Sequence, residues 1–152
     1  MENLFYIDIK KMYFNGEGHI ERFSEALDGT TWAMDMTDDG IVDRYYGTAL
    51  YLLTATPSIW RKSKDYVSDE AINRGIYFDK MLAEQDFSSQ EWIVATLAKV
   101  LFESEDSKKF SITNMVGGLE DALFNCCLLA IAYFRDNKIY MQRKKAASLG
   151  NE

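Results

Sequence analysis

Ala122-Leu123-Phe124-Asn125-Cys126-Cys127-Leu128-Leu129-Ala130-Ile131-Ala132-Tyr133-Phe134 is the longest apolar run of the chain, thirteen residues interrupted by Asn125. Crossing a bilayer takes roughly 20 apolar residues, so this run is too short to do so. Read as a helix over about Leu119–Arg135, it is apolar nearly all round, and such a helix is covered by neighbours on most sides. The expected fold is therefore mainly α, a single-domain bundle around this C-terminal helix.

The segments upstream supply the covering helices. Ser88-Ser89-Gln90-Glu91 is a capping box, with Phe87 and Trp92 where a hydrophobic staple belongs. Ile93, Leu97, Val100 and Leu101 then form a buried stripe, while Lys99 and Glu103 pair outside at i, i+4. Thr56-Pro57 starts a short basic helix, since proline suits the first helical position. Ile41, Tyr45, Ala49 and Leu52 mark a helix entered near Asp38-Asp39, with Gly47 inside it for the close approach of another helix. Ile20, Phe23 and Leu27 mark a helix ended by Asp28-Gly29. Ser111 or Thr113 caps a short helix running to Gly117-Gly118.

Two stretches are less helical. Phe5–Lys10 alternates like a half-buried strand, although Phe5, Ile9, Met12 and Tyr13 also share a helical face. Ile76-Tyr77-Phe78 reads as a strand fragment pairing with it in a small two-stranded element. Ser68-Asp69-Glu70 reads as a short helical turn stopping near Gly75. After Asp136-Asn137 the chain turns polar and basic, so residues 1–137 form the expected domain and 138–152 a tail.

The bulk numbers narrow the functional classes. The 152 residues suit one domain, and 47% hydrophobic with 27% charged residues is a globular composition. Net charge is −7, with the last eighteen residues opposing an acidic body at five bases to two acids. Such a body repels nucleic-acid phosphates. The two cysteines, Cys126 and Cys127, are adjacent and cannot reach ordinary disulfide geometry. These features, with no signal peptide in the first residues, lead to the expectation of a soluble cytoplasmic protein, with no membrane and no direct nucleic-acid partner.

No catalytic or cofactor motif emerges. His19 is the only histidine, on the polar flank of its helix. It reads as a surface or hydrogen-bonding residue, or alternatively as a general base in a pocket. Several-histidine metal sites are impossible, and buried cysteines act as small hydrophobes. Asp35-Met36-Thr37-Asp38-Asp39-Gly40 resembles half a calcium loop, but its twelfth position is Tyr46 instead of a bidentate Glu. Gly117-Gly118 lacks phosphate-loop spacing. No cofactor and no metal are expected.

Recognition signals remain. Trp60, Arg61 and Lys62 form an aromatic followed by cations, of the kind enriched at binding hot spots. A Trp tucked into the core beside a solvated basic face is the more ordinary reading of the same residues. Asp35, Asp38 and Asp39 could present phosphate-like charge to a nucleic-acid-binding protein, or simply be a solvated, helix-capping loop.

Phe14-Asn15 followed by His19 and Arg22-Phe23, then Tyr45 through Leu50-Tyr51-Leu52-Leu53, Trp60-Arg61-Lys62, and Leu97-Ala98 leading to Leu101-Phe102 form an ordered set of features. The set resembles a family of short bacterial proteins of unassigned function, found in chromosomes and mobile elements. The resemblance covers most of residues 12–135. It implies a compact helical domain of bacterial or phage origin and carries no activity. The expectation is a non-catalytic protein-binding module, encoded by a phage or mobile element and modulating a host protein such as a defence nuclease. The alternatives are a small hydrolase or transferase with a pocket near His19, and a homodimeric structural protein.

Overall fold

The computed structural model describes residues 13–29, 44–68 and 75–135. Within them seven α-helices pack as one bundle: α1 (Gly16–Gly29), α2 (Arg44–Leu53), α3 (Pro57–Ser63), α4 (Phe78–Glu84), α5 (Ser89–Glu103), α6 (Ile112–Gly118) and α7 (Asp121–Arg135). A single 3₁₀ turn, Lys64–Tyr66, leads from α3 into a two-stranded antiparallel hairpin. Its strands are β1 (Val67–Ser68) and β2 (Gly75–Ile76), with Val67 opposite Ile76 and Ser68 opposite Gly75.

The mainly α fold with a small β element is as expected, but the hairpin is built from different residues. Ile76 pairs with Val67, so Ser68 is extended, and Phe78 opens α4. A period-two pattern only three residues long cannot name its partner, and here the nearest extended segment takes the place. The Phe5–Lys10 segment, Asp35, Asp38 and Asp39, residues 69–74 and the basic tail lie outside the described residues.

Helix starts follow the local chemistry. Thr56 Oγ1 accepts from the Ile59 amide at 3.1 Å, ahead of Pro57 at the start of α3. The capping box of α5 is complete: Ser88 Oγ accepts from the Glu91 amide at 3.2 Å, and Glu91 Oε1 from the Ser88 amide at 2.9 Å. Ser111, rather than Thr113, caps α6, accepting from the Asn114 amide at 3.3 Å.

The place of the helices in the core differs from the expectation. Every residue of α2 from Tyr46 to Leu53 is buried, and α2 packs mainly on α5 and α7. The C-terminal helix α7 buries Leu123, Cys126, Cys127, Leu129, Ala130 and Tyr133 but leaves Leu128 46% and Ile131 41% exposed. The innermost helix is α2 because it combines small residues at Gly47, Thr48 and Ala49 with the run Leu50–Leu53. At Gly47 the ring of Tyr133 lies directly against the backbone: an added Cβ would meet the Tyr133 hydroxyl, with Cε1 only 2.8 Å away. Tyr45, placed by its spacing in the buried stripe, is 40% exposed and packs edge-on against Phe134 with centroids 5.6 Å apart. None of the helices described is long and apolar enough to cross a membrane.

Candidate functional site

His19 lies where α1 meets the C-terminal end of α2. The last carbonyls of a helix lack partners within it, and α1 supplies several. Asn15, His19 and Arg22 recur at spacings of four and three residues, so all three side chains project from one face. Arg22 Nε donates to the Thr54 carbonyl at 2.8 Å, and its Nη2 to that of Ala55 at 3.2 Å. Asn15 Nδ2 also donates to the Ala55 carbonyl, at 2.9 Å. His19 Nδ1 accepts from the Asn15 backbone N–H at 3.0 Å, which leaves the ring proton on Nε2 to donate to the Tyr51 carbonyl at 2.8 Å. The Arg22 charge sits at the negative end of the α2 dipole.

Aromatic rings close around this junction. His19 is fully buried, with its ring centroid 4.7 Å from that of Tyr51 and 5.1 Å from that of Phe14. Phe23 stands edge-on to Tyr51 at 5.9 Å, and the Tyr51 hydroxyl donates to the Tyr13 carbonyl at 2.9 Å. The expected polar flank is thus an interior position. Hydrophobic periodicity assigns polarity to the residue type, and it cannot see that the carbonyls at the end of α2 need a donor there. A general base must reach a proton on substrate; this imidazole has both nitrogens engaged and no surface. The geometry is that of a structural histidine.

Burial pushes the His19 pKa down to about 4, with the hydrogen bond to Tyr51 opposing the shift and the Arg22 charge adding to it. The folded state therefore prefers the neutral ring. Because the pKa is lowered on folding, the stabilisation is complete above the unfolded value of 6.5 and is lost as pH falls from there through 4. Glu91 adds a second acid-sensitive step. Burial raises its pKa, but hydrogen bonds from Ser58, the Ser88 amide and Lys62, together with the Lys62 charge, outweigh this and hold it at about 2. Its contribution, present above 4.5, is lost as pH falls towards 2. Denaturant midpoints measured from pH 7.5 to 3.5 are expected to fall, chiefly below 6.5. A flat profile over that range would contradict the assigned geometry of His19.

The basic cluster after Pro57 is divided by the fold. Trp60 is half-buried and packs against the core. Arg61 is exposed. Lys62 turns back on the molecule: its Nζ donates to Glu91 Oε1 at 2.9 Å and to the Asp86 carbonyl at 2.9 Å, and lies 5.8 Å from the centroid of Phe87. Lys62 and Glu91 thus join α3 to the start of α5, and of the three residues Arg61 alone points fully outward.

Cys126 and Cys127 are buried, and burial pushes their thiols up to about 11 and about 12, the Tyr51 hydroxyl partly opposing the shift at Cys126. Thiols so far from ionisation are poor nucleophiles. Among the described residues no group of three His, Cys, Asp or Glu side chains is arranged to hold a metal ion.

The surface offers a different kind of site. A groove of about 470 Å³ runs between the start of α5 and α6, lined by Phe87, Trp92, Ile93, Asn114 and Gly118 among others. On the opposite flank of α6, Ile112 and Val116 are each 64% exposed, one helical turn apart, while Met115 points into the core. Sequence reasoning missed this pair. Three apolar residues on a seven-residue helix do not say which of them faces inward, and only the packing of α6 against α5 and α7 selects Met115. A second hollow, of about 490 Å³, is lined by Asp65, Tyr66, Tyr77, Lys80 and Glu84. There the Tyr66 hydroxyl is held by Glu84 at 2.7 Å and Gln85 at 2.9 Å.

Comparison with protein-family models, with curated proteins and with solved structures returns no match. The functional reading therefore rests on this chain's own residues, and the family resemblance stays an expectation.

Proposed function

We propose that this protein is a non-catalytic binding module whose partner is another protein. The observation that carries the reading is the pair Ile112 and Val116, two large apolar side chains 64% exposed and one turn apart on the flank of α6 that faces away from the groove. Such edges are characteristic of surfaces that become buried on association. The polar groups with the greatest chemical potential support the same reading. His19, Lys62 and Glu91 are spent on joining helices, and the cysteines are buried. The net charge of −7 directs the proposal to a protein with a basic surface, such as one that itself binds nucleic acid. A phage- or element-encoded modulator of a host nuclease is the specific form of this proposal.

Affinity capture from host lysate with mass spectrometry tests it. The wild-type chain is expected to retain a stoichiometric partner, and the Ile112→Asp/Val116→Asp variant to lose at least 90% of it, since a buried anchor contributes about 2 kcal/mol or more. Arg61→Glu, and charge reversal at Asp35, Asp38 and Asp39, map whether those residues share the interface. No partner in repeated captures, or full retention by the α6 variant, would overturn the reading.

A further inference from the structure

Asn15 and Gly16, where α1 begins, form the only Asn-Gly pair in the sequence. A main-chain nitrogen that follows asparagine can attack the side-chain amide carbon, and glycine, lacking a Cβ, hinders that approach least. Gly16 is exposed, with φ at +81° and no heavy atom within 4 Å of where a Cβ would lie. Half-buried Asn15 is one of the residues that fasten α1 to the end of α2. Its Nδ2 donates to the Ala55 carbonyl at 2.9 Å, an oxygen shared with Arg22 Nη2, and its N–H to His19 Nδ1 at 3.0 Å. The Gly16 N–H donates to the Phe14 carbonyl at 2.9 Å.

We infer that Asn15-Gly16 is a deamidation site guarded by this junction, and that conversion to isoaspartate releases α1 from α2. The contacts that dock α1 also restrain the reaction. The Asn15 amide is tethered to Ala55, and the proton that Gly16 must give up is bound to the Phe14 carbonyl. Once the junction opens, the step needs only water. The Gly16 nitrogen loses its proton to water or hydroxide and attacks Asn15 Cγ. The N–Cγ bond forms, the Cγ–Nδ2 bond breaks, and Nδ2 leaves as ammonia. Water then opens the cyclic imide at either carbonyl, giving aspartate or isoaspartate. Neither product has the Nδ2 donor, and each adds a negative charge. Aspartate leaves the backbone as it was, and Arg22, bonded to the same Ala55 oxygen, is close enough to pair with it. Isoaspartate inserts a methylene into the main chain and so moves the Asn15 N–H off His19 Nδ1. Release of α1 uncovers Phe23 and the Tyr51 ring that it packs against. Because the chemistry does not reverse, the junction cannot close again as before.

Incubation of the full chain at mildly alkaline pH, folded or in urea, tests this. Peptide mass mapping follows Asn15, and enzymatic methylation distinguishes isoaspartate from aspartate. The folded chain is expected to convert slower by about tenfold or more, since reaction waits on local opening. Arg22→Met removes the bonds to Thr54 and Ala55 while leaving the aromatic rings in place. It is expected to speed conversion by about threefold or more in the folded chain and to leave the rate in urea unchanged. The purified isoaspartyl chain is expected to lose hydrogen-exchange protection across α1 while α5 keeps it, and the aspartyl chain to retain it in both. Equal rates in the folded and unfolded chain would overturn the proposal. So would the absence of isoaspartate at position 15 in urea, a folded Arg22→Met chain no faster than wild type, or an isoaspartyl chain as protected across α1 as the aspartyl one. The α6 edge takes no part in these measurements, so the two readings are tested separately.

Discussion

An alanine at position 19 is expected to lower folding stability by about 4 kcal/mol. Two costs combine. Removing a fully buried ring from among Phe14, Phe23 and Tyr51 leaves a cavity, at about 2 kcal/mol for a side chain of this size. The part-buried Asn15 amide also loses its partner and the Tyr51 carbonyl its shorter hydrogen bond, keeping Thr54 Oγ1 at 3.3 Å, and together these cost about 1–3 kcal/mol. Chemical denaturation with an unchanged m-value would read the loss as a lower midpoint. His19→Phe separates the two costs: it keeps a ring in the space but restores neither hydrogen bond, so about half the loss should remain. The acid sensitivity between pH 6.5 and 4 should also disappear in that variant. A loss under about 1 kcal/mol for His19→Ala would mean that the junction of α1 with α2 is not held as described.

The second large effect is expected at Gly47. Alanine is normally the better helix former by about 1 kcal/mol, so by propensity alone Gly47→Ala should stabilise α2. The structure reverses the sign. The added methyl would overlap the Tyr133 hydroxyl and stand 2.8 Å from Cε1 and 2.9 Å from Cζ of the same ring. Tyr133 is itself fully buried on α7 and has little room to retreat. Overpacking of this kind costs about 1–3 kcal/mol and sometimes more, so a net loss of about 2 kcal/mol and a melting temperature lower by about 4–8 °C are expected. Tyr133→Phe in the same chain removes the nearest atom and should recover part of the loss, giving a favourable coupling in a double-mutant cycle. If Gly47→Ala raises the melting temperature, α2 and α7 do not approach as closely as the geometry requires.

Both positions show where sequence reading stops. The glycine inside a helical pattern was legible as a point of close approach, because nothing else explains its propensity cost. Which ring it approaches was not, since Tyr133 is distant in sequence and is one of nine tyrosines. His19 was legible as a hydrogen-bonding residue, but its burial was not, because its partners are main-chain carbonyls and carry no residue identity. The basic cluster was legible as a cluster. That Lys62 folds back to Glu91 while Arg61 faces solvent depends on the angle at which α3 meets α5.

Local chemistry in the chain determined the helical class, the capping of α3, α5 and α6, and the burial of the paired cysteines. Those features depend on residues within one or two turns of each other, where spacing and side-chain type are sufficient. Only the tertiary structure decided that α2 rather than α7 is enclosed, that Ile76 pairs with Val67, and that Ile112, Val116, Leu128 and Ile131 are left outside. An apolar side chain has the same transfer free energy wherever it sits. Which apolar residues are withdrawn from water, and which are left at the surface, is settled by the packing of whole helices.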